Sequence, residues 1–316
     1  MPEIPVFDNG HEMELQFKHN SLLGEGLVWH AATARWWWTD IESSALHSWS
    51  AKGNALHSFR LPDRAGSFVH CQSGAILIGF TKRLAFARTS RQRQQREADA
   101  QLQLQIQTAC AVDPTESRTR INDGRCDRRG FYVFGTMNEA TEKRAIGSFY
   151  QYSQQHGLRR LALPAVAIAN SICFSVDGRT MYFSDTLTRR IMQCDYDSES
   201  AQVDNIRLFA TLSETGAYPD GAVIDSDGCL WNAQWGAASV QRYSPLGELM
   251  QRWQVPAKNP TCPAFGELSL RNLLVTSSRQ EMSPQENAAM PDAGSLFGIA
   301  LPDVVGVPET LFDDSH

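Results

Sequence analysis

Six times along the chain a short hydrophobic segment flanked by turn residues returns, at a spacing of roughly 40 to 55 residues. Four of these returns open on an oxygen-bearing side chain: Glu25 (EGLVWHAATARWWWTD), Asn122 (NDGRCDRRGFYVFGT), Asn170 (NSICFSVDGRTMYFSDT) and Asp220 (DGAVIDSDGCLWNAQ). Five positions after the last three openings stand Asp127, Ser175 and Asp225, and eight positions after them stand Gly130, Gly178 and Gly228. Weaker copies begin at Gly66 and Thr261. A repeat of this length made of short strands predicts an all-β fold, a six-bladed β-propeller of four-stranded antiparallel blades with an axial metal site, spanning residues 1–316 as a single domain. Equivalent positions of successive blades lie at equal height around the axis. Glu25, Asn122, Asn170 and Asp220 are therefore expected to meet at one mouth of the central channel.

Local patterns add detail. Met13 to Phe17 alternates and is expected to complete the final blade by pairing with C-terminal strands, which removes an exposed sheet edge. Residues 278–294, rich in Pro, Ser, Gln and Asn, read as a long loop within the last blade before a strand at 295–300. Gln101 to Gln107 alternates as a half-buried outer strand, and Arg91 to Arg96 before it reads as a solvated hairpin loop. The run Trp36, Trp37, Trp38 is expected to pack blade against blade.

Composition narrows the class. The 42% hydrophobic content can fill a large core, and the mean hydropathy of -0.34 is not that of a membrane protein. No apolar stretch approaches the roughly 18 to 20 residues that span a bilayer. A net charge of -6 with scattered basic residues gives no nucleic-acid footprint. Seven cysteines without paired spacing read as reduced thiols, and the opening Met-Pro-Glu-Ile-Pro lacks the regions of a secretory signal. A cytoplasmic location is expected. The oligomeric state stays open.

The four converging oxygens are hard donors without thiolate or imidazole, a set that suits Ca²⁺, Mg²⁺ or Mn²⁺ and also admits Zn²⁺. Asn or Asp at a strand start more often caps a turn when taken singly. Four at one repeat position, one of them a glutamate, favour a site. Dinucleotide, phosphate-loop, zincin and nucleophile-elbow motifs are all missing. Of the eight histidines, His70 lies early in the second repeat, where it is a candidate to approach the channel.

The blocks Gly24-Glu25-Gly26-Leu27-Val28-Trp29 with Trp38-Thr39-Asp40-Ile41, Arg120-Ile121-Asn122-Asp123-Gly124 with Gly135-Thr136-Met137, Ile168-Ala169-Asn170, and Tyr218-Pro219-Asp220-Gly221 occur in the order in which they stand in the SMP-30/gluconolactonase/regucalcin family. The chain resembles that family over essentially its whole length. The resemblance implies a six-bladed propeller, one divalent cation at the axis (calcium, zinc, manganese, magnesium or iron), and hydrolysis of sugar-acid lactones. It implies Glu25, Asn170 and Asp220 as metal ligands, and Arg120 and Asn122 as substrate-binding residues. Two positions depart from the family pattern. Ser171 stands where members commonly have glycine, and is expected to alter the turn or add a hydroxyl to the pocket. Ala140 stands where some members have a substrate-contacting glutamate, and Glu139, or alternatively Asn138, is expected to substitute for it in binding substrate.

Ester cleavage needs a stabilised oxyanion and an activated water. The expected division of labour is a cation acting as Lewis acid, with water activated by Asp220 or bound to the cation as hydroxide. Arg120 would orient substrate hydroxyls or a carboxylate, and Asp123 would brace the loop. An aldaric substrate with an extra carboxylate would need a second cation, for which Arg120, Lys143 and Arg144 are the candidates. The alternatives are a propeller esterase or phosphotriesterase with an apolar mouth, and a non-enzymatic calcium-binding or interaction propeller.

Overall fold

The computed structural model describes residues 12–91 and 102–315. Among them, six four-stranded antiparallel sheets form the blades of a propeller. Blade 1 runs Gly24–His30, Arg35–Asp40, Ala45–Ser50 and Ala55–Arg60, and blade 2 runs Ala65–His70, Ile76–Phe80, Arg83–Arg91 and Leu102–Ala111. Blade 3 holds Thr119–Cys126, Tyr132–Asn138, Phe149–Ser153 and Gly157–Arg160. Blade 4 holds Ala169–Phe174, Thr180–Asp185, Arg190–Asp197 and Gln202–Thr211. Blade 5 holds Tyr218–Ile224, Leu230–Trp235, Ser239–Tyr243 and Leu249–Gln254. The first strand of each blade packs against the first strand of the next, and that of blade 6 returns to blade 1, so the ring closes on itself.

Blade 6 is built from both ends of the chain. Asn259–Gly266, Asn272–Ser278 and Leu296–Ala300 are joined by Glu14–Phe17, which pairs antiparallel with Leu296–Ala300. The expected outer strand of blade 2 is present from Leu102, whereas most of the expected Arg91 to Arg96 loop lies outside the described residues.

The repeat offsets have a local cause. Asp127 Oδ1 accepts from the backbone of Arg129 (2.9 Å) and Phe131 (3.0 Å), and Asp225 Oδ1 does the same for Asp227 (3.0 Å) and Cys229 (2.9 Å). Gly130, Gly178 and Gly228 then turn the chain in the left-handed region at φ 87°, 73° and 78°. Each pair of side-chain bond and glycine closes the hairpin between the first and second strands of its blade.

Alternation along Arg35–Asp40 sends Trp36 and Trp38 into the cluster shared with blade 6, and Trp37 into the cluster shared with blade 2. All three are buried. A propeller strand is covered on both faces, which is why these runs are continuously apolar rather than half polar.

Two features go beyond the sequence expectations. Within residues 278–294 a short helix forms at Pro284–Ala289, where the Ser283 hydroxyl caps the Glu286 amide and the Glu286 side chain caps Ser283 in return. The signal, Ser-Pro-Gln-Glu, is a legible capping box. The C-terminal segment after Ala300 crosses the far face of the channel as a strap. It bonds Ser226 through the Val305 carbonyl (2.8 Å), His70 through the Phe312 amide (2.8 Å) and Gly130 through the Asp313 amide (2.9 Å), and Glu309 pairs with Arg125.

Candidate active site

In all six blades the first strand slips register near the near mouth, for instance between Glu25 and Val28, Ile121 and Gly124, Asn170 and Cys173, and Pro219 and Ala222. Such bulges break strict alternation and re-aim side chains toward the axis. A cavity of about 410 Å³ opens there, and its lining includes Glu25, Arg120, Asn122, Asn170 and Asp220. Blades 1, 3, 4 and 5 thus contribute one wall each, as the repeat register requires. Gly221 follows because a Cβ at that position would lie 2.9 Å from the Cys262 Cα and the Thr261 carbonyl of blade 6.

Asn170 is held in one orientation. Its Nδ2 donates to the Thr186 hydroxyl (2.8 Å), and that hydroxyl spends its own proton on the Pro219 carbonyl (3.0 Å). Thr186 Oγ1 must therefore accept, which puts the amide nitrogen on its side and leaves Oδ1 toward Asn122, whose Nδ2 donates to it at 3.1 Å. Oδ1 retains a free lone pair. The sequence reading missed Thr186, whose only signal is its place directly after the second strand of the blade.

Glu25, Asp123 and Asp220 crowd together with little to balance them. Burial first, and then the charge of Asp123, raise the Glu25 carboxyl to about 8. Burial and then Glu25 raise Asp220 well above the carboxylate range. Among the described residues no ion pair neutralises any of the three. Two mutually repelling carboxylates beside an oriented amide oxygen form a donor set that fits a divalent cation of hard character. No group of three His, Cys, Asp or Glu side chains suited to a metal occurs among the described residues. Asp123 Oδ2 accepts from the Ile172 amide at 2.9 Å and so ties blade 3 to blade 4, the bracing role expected of it.

Arg120 is 4% exposed. Its Nη1 donates to the Ile121 carbonyl (3.0 Å) and to Asn122 Oδ1 (2.7 Å), while Nη2 makes no hydrogen bond among the described residues. Glu139 lies behind it, outside the cavity lining. There Glu139 takes both guanidinium nitrogens of Arg64, at 2.7 and 2.9 Å, and stands 3.3 Å from Arg120 Nε, at an angle that makes an ion pair but not a hydrogen bond. Asn138 is committed to its own loop through the Glu142 and Arg144 carbonyls. Of the other expected cations, Lys143 lines the cavity with Arg120 and donates to the Asn138 carbonyl (2.8 Å), whereas Arg144 pairs with Glu142 at the surface.

His70 sits at the opposite end of its strand. It stacks on His30 at 4.0 Å in a separate far-mouth cavity of about 270 Å³, and burial lowers its pKa to about 3. The Ser171 hydroxyl is absent from the cavity lining and turns instead to the Asp220 carbonyl. Tyr218 and Trp235, cross-strand neighbours, supply an aromatic wall that sequence reading did not single out.

Comparison with known proteins shows the family and the fold. The region described as SMP-30/Gluconolactonase/LRE-like matches residues 23–279. The chain belongs to the SMP-30/gluconolactonase family. Among family relatives, L-arabinolactonase of Azospirillum brasilense is 41% identical over 278 residues, covering 87% of each chain. The 6-deoxy-6-sulfogluconolactonase of Pseudomonas putida is 30% identical, covering 92% of this chain and 95% of its own. A solved structure of a calcium-binding protein, regucalcin, from Agrobacterium tumefaciens superposes with a TM-score of 0.83 at 30% identity, covering 96% of this chain and 97% of that one.

Proposed function

We propose that this member of the family is a divalent-cation-dependent lactonase that opens a sugar-acid lactone, aldonic or aldaric, to the free hydroxy acid. The observation that carries the reading is the oriented Asn170 amide, which lines one cavity with Arg120 and with the Glu25 and Asp220 carboxyls, neither of them in an ion pair among the described residues. The names of the relatives support the substrate class. Glu25, Asn170 and Asp220 would hold the cation. When bound, the cation supplies Lewis-acid polarisation and charge stabilisation worth several kcal/mol.

The chain's own groups then divide the work. Asp220 accepts a proton from the attacking water as its oxygen bonds to the lactone carbonyl carbon. The ring C–O bond breaks, and the leaving alkoxide takes a proton back. Arg120 Nη2 is free to donate to a substrate oxygen near the developing charge, and Asn122 fixes the guanidinium through Nη1. Glu139 serves this reading by holding Arg120 with Arg64 rather than by touching substrate. Tyr218 and Trp235 offer a flat apolar wall for the C–H face of a sugar ring, and Lys143 offers a charge for a distal anionic group.

Chelator-stripped protein with Ca²⁺, Mg²⁺, Mn²⁺, Zn²⁺ or Fe²⁺ restored, assayed for proton release from aldono- and aldarolactones, tests the proposal. Cation-dependent turnover above the spontaneous rate is expected. Tight calcium binding without turnover of any lactone would overturn it in favour of a non-enzymatic calcium-binding propeller.

A further inference from the structure

The residue after each of two proposed ligands enters the left-handed region at the same angle: Gly26, after Glu25, at φ 61°, and Ser171, after Asn170, at φ 61°. Glycine adopts that conformation without steric penalty and serine does not. Glycine would therefore fit position 171 with less strain. What serine adds is its hydroxyl, and every hydrogen-bonding capacity of that hydroxyl is used.

Ser171 is completely buried. Its Oγ donates to the backbone carbonyl of Asp220 at 2.6 Å. It accepts from Ser184 Oγ at 3.0 Å and from Asn232 Nδ2 at 3.1 Å. Asn232 Nδ2 also reaches the carbonyls of Asp220 and Gly221, each at 3.0 Å, and Gln234 Nε2 fixes the Asn232 amide from its other side at 2.6 Å. The network therefore runs from the blade 4 bulge carrying Asn170 to the blade 5 bulge carrying Asp220, and grips the main chain of the proposed base itself.

We propose that Ser171 is a positioning residue, a latch between blades that sets the Asp220 carboxylate against the Asn170 amide oxygen, at the cost of a strained backbone. The inference rests on the cation-site reading above. Its logic is that strain and positioning can be separated. Replacement by glycine removes both the strain and the latch, whereas replacement by alanine removes the latch and keeps the strain.

The experiment compares wild type, S171G and S171A by thermal melting of chelated protein, by calorimetric titration with Ca²⁺ or Mn²⁺, and by lactone turnover. S171A is expected to melt below wild type and S171G to melt above S171A. Both are expected to lose about 10- to 100-fold in cation affinity or kcat, the range typical of groups that orient metal ligands, with KM changed less than kcat. A loss of function in S171G at a melting temperature near wild type is the signature of positioning that a merely structural serine would not produce. Wild-type cation affinity and kcat in S171G would overturn the inference. Failure of wild type to bind any divalent cation would instead overturn the site reading, and the inference with it.

Discussion

Replacing Thr186 by valine removes one oxygen and keeps the shape of the side chain. That hydroxyl accepts from Asn170 Nδ2 at 2.8 Å and donates to the Pro219 carbonyl at 3.0 Å, both in buried surroundings. A buried donor and a buried acceptor left without partners cost about 1 to 3 kcal/mol each, and partial relaxation brings the sum to about 2 to 3 kcal/mol. Unfolding entropy of about 2.1 cal/mol/K per residue gives about 0.66 kcal/mol/K for a chain of 316 residues. The melting temperature of Thr186→Val should therefore fall by about 3 to 5 °C. The functional effect is separate from this. Without the Thr186 acceptor the bond from Asn122 Nδ2 to Asn170 Oδ1 is left to hold the amide against flipping, and a nitrogen turned inward repels a cation. Affinity for a divalent ion should fall by about 10- to 100-fold, read by calorimetric titration of chelated protein. A variant that melts lower yet binds the ion as tightly as wild type would refute the orientation argument.

Glu25→Gln should raise the melting temperature of chelated protein at pH 7, because the neutral amide is not subject to the burial and the Asp123 charge that oppose ionisation of the glutamate. It should also abolish the stabilisation by cation that wild type shows, about 2.7 kcal/mol at a hundredfold excess over Kd; a preserved cation-induced shift would remove Glu25 from the ligand set. In cation-free wild type the Glu25 carboxyl keeps its proton to about pH 8 in the fold but loses it near its ordinary 4.5 when unfolded. The folded state then binds more protons across that window, so stability should decline as pH rises from about 4.5 to 8 and recover on adding cation; melts of chelated protein that are flat or rising with pH would contradict the assignment. Glu139→Gln should loosen the Arg64 and Arg120 guanidinium groups and raise KM roughly tenfold, about 1.4 kcal/mol, with a smaller effect on kcat; an unchanged KM would return Glu139 to a purely structural role. At the far mouth, buried His70 Nε2 has no hydrogen-bond partner among the described residues, so His70→Phe should be neutral or stabilising at pH 7. Because the His70 pKa is lowered to about 3, its contribution to stability is lost as pH falls from about 6.5 toward 3, and the variant should flatten that acid limb. A large drop in its melting temperature at pH 7 would show that the ring packing matters more than the orphan nitrogen.

Much of the fold was legible because a propeller repeats its turn chemistry. Asp127, Asp225 and the glycines at Gly130, Gly178 and Gly228 each do a local task, closing a hairpin within nine residues, and local tasks leave local marks. The closing strand Glu14–Phe17 was visible from its alternation, although only Phe17 of the four is drawn into the core and Leu15 stays exposed. The same register carried Glu25, Asn122, Asn170 and Asp220 to one mouth. The helix at Pro284–Ala289 also had a local mark, its Ser283 and Glu286 capping box, but it sits in a polar stretch that composition alone reads as loop. The C-terminal strap left no such mark, because it is held by backbone bonds to blades 2, 3, 5 and 6 rather than by any periodic pattern of its own.

The sequence by itself determined the architecture, the number of blades and the height at which the oxygen donors stand, since these follow from a repeat whose turns and apolar runs are set within each unit. Tertiary structure alone decided which way those donors face and what holds them. Thr186 orients Asn170, Ser171 reaches the carbonyl of Asp220 across the blade boundary, and Glu139 turns from the cavity to Arg64 and Arg120. Each of these is a contact between residues 16 to 75 positions apart in the chain. Such contacts depend on how far one bulged strand rotates against its neighbour, a quantity that no local pattern encodes.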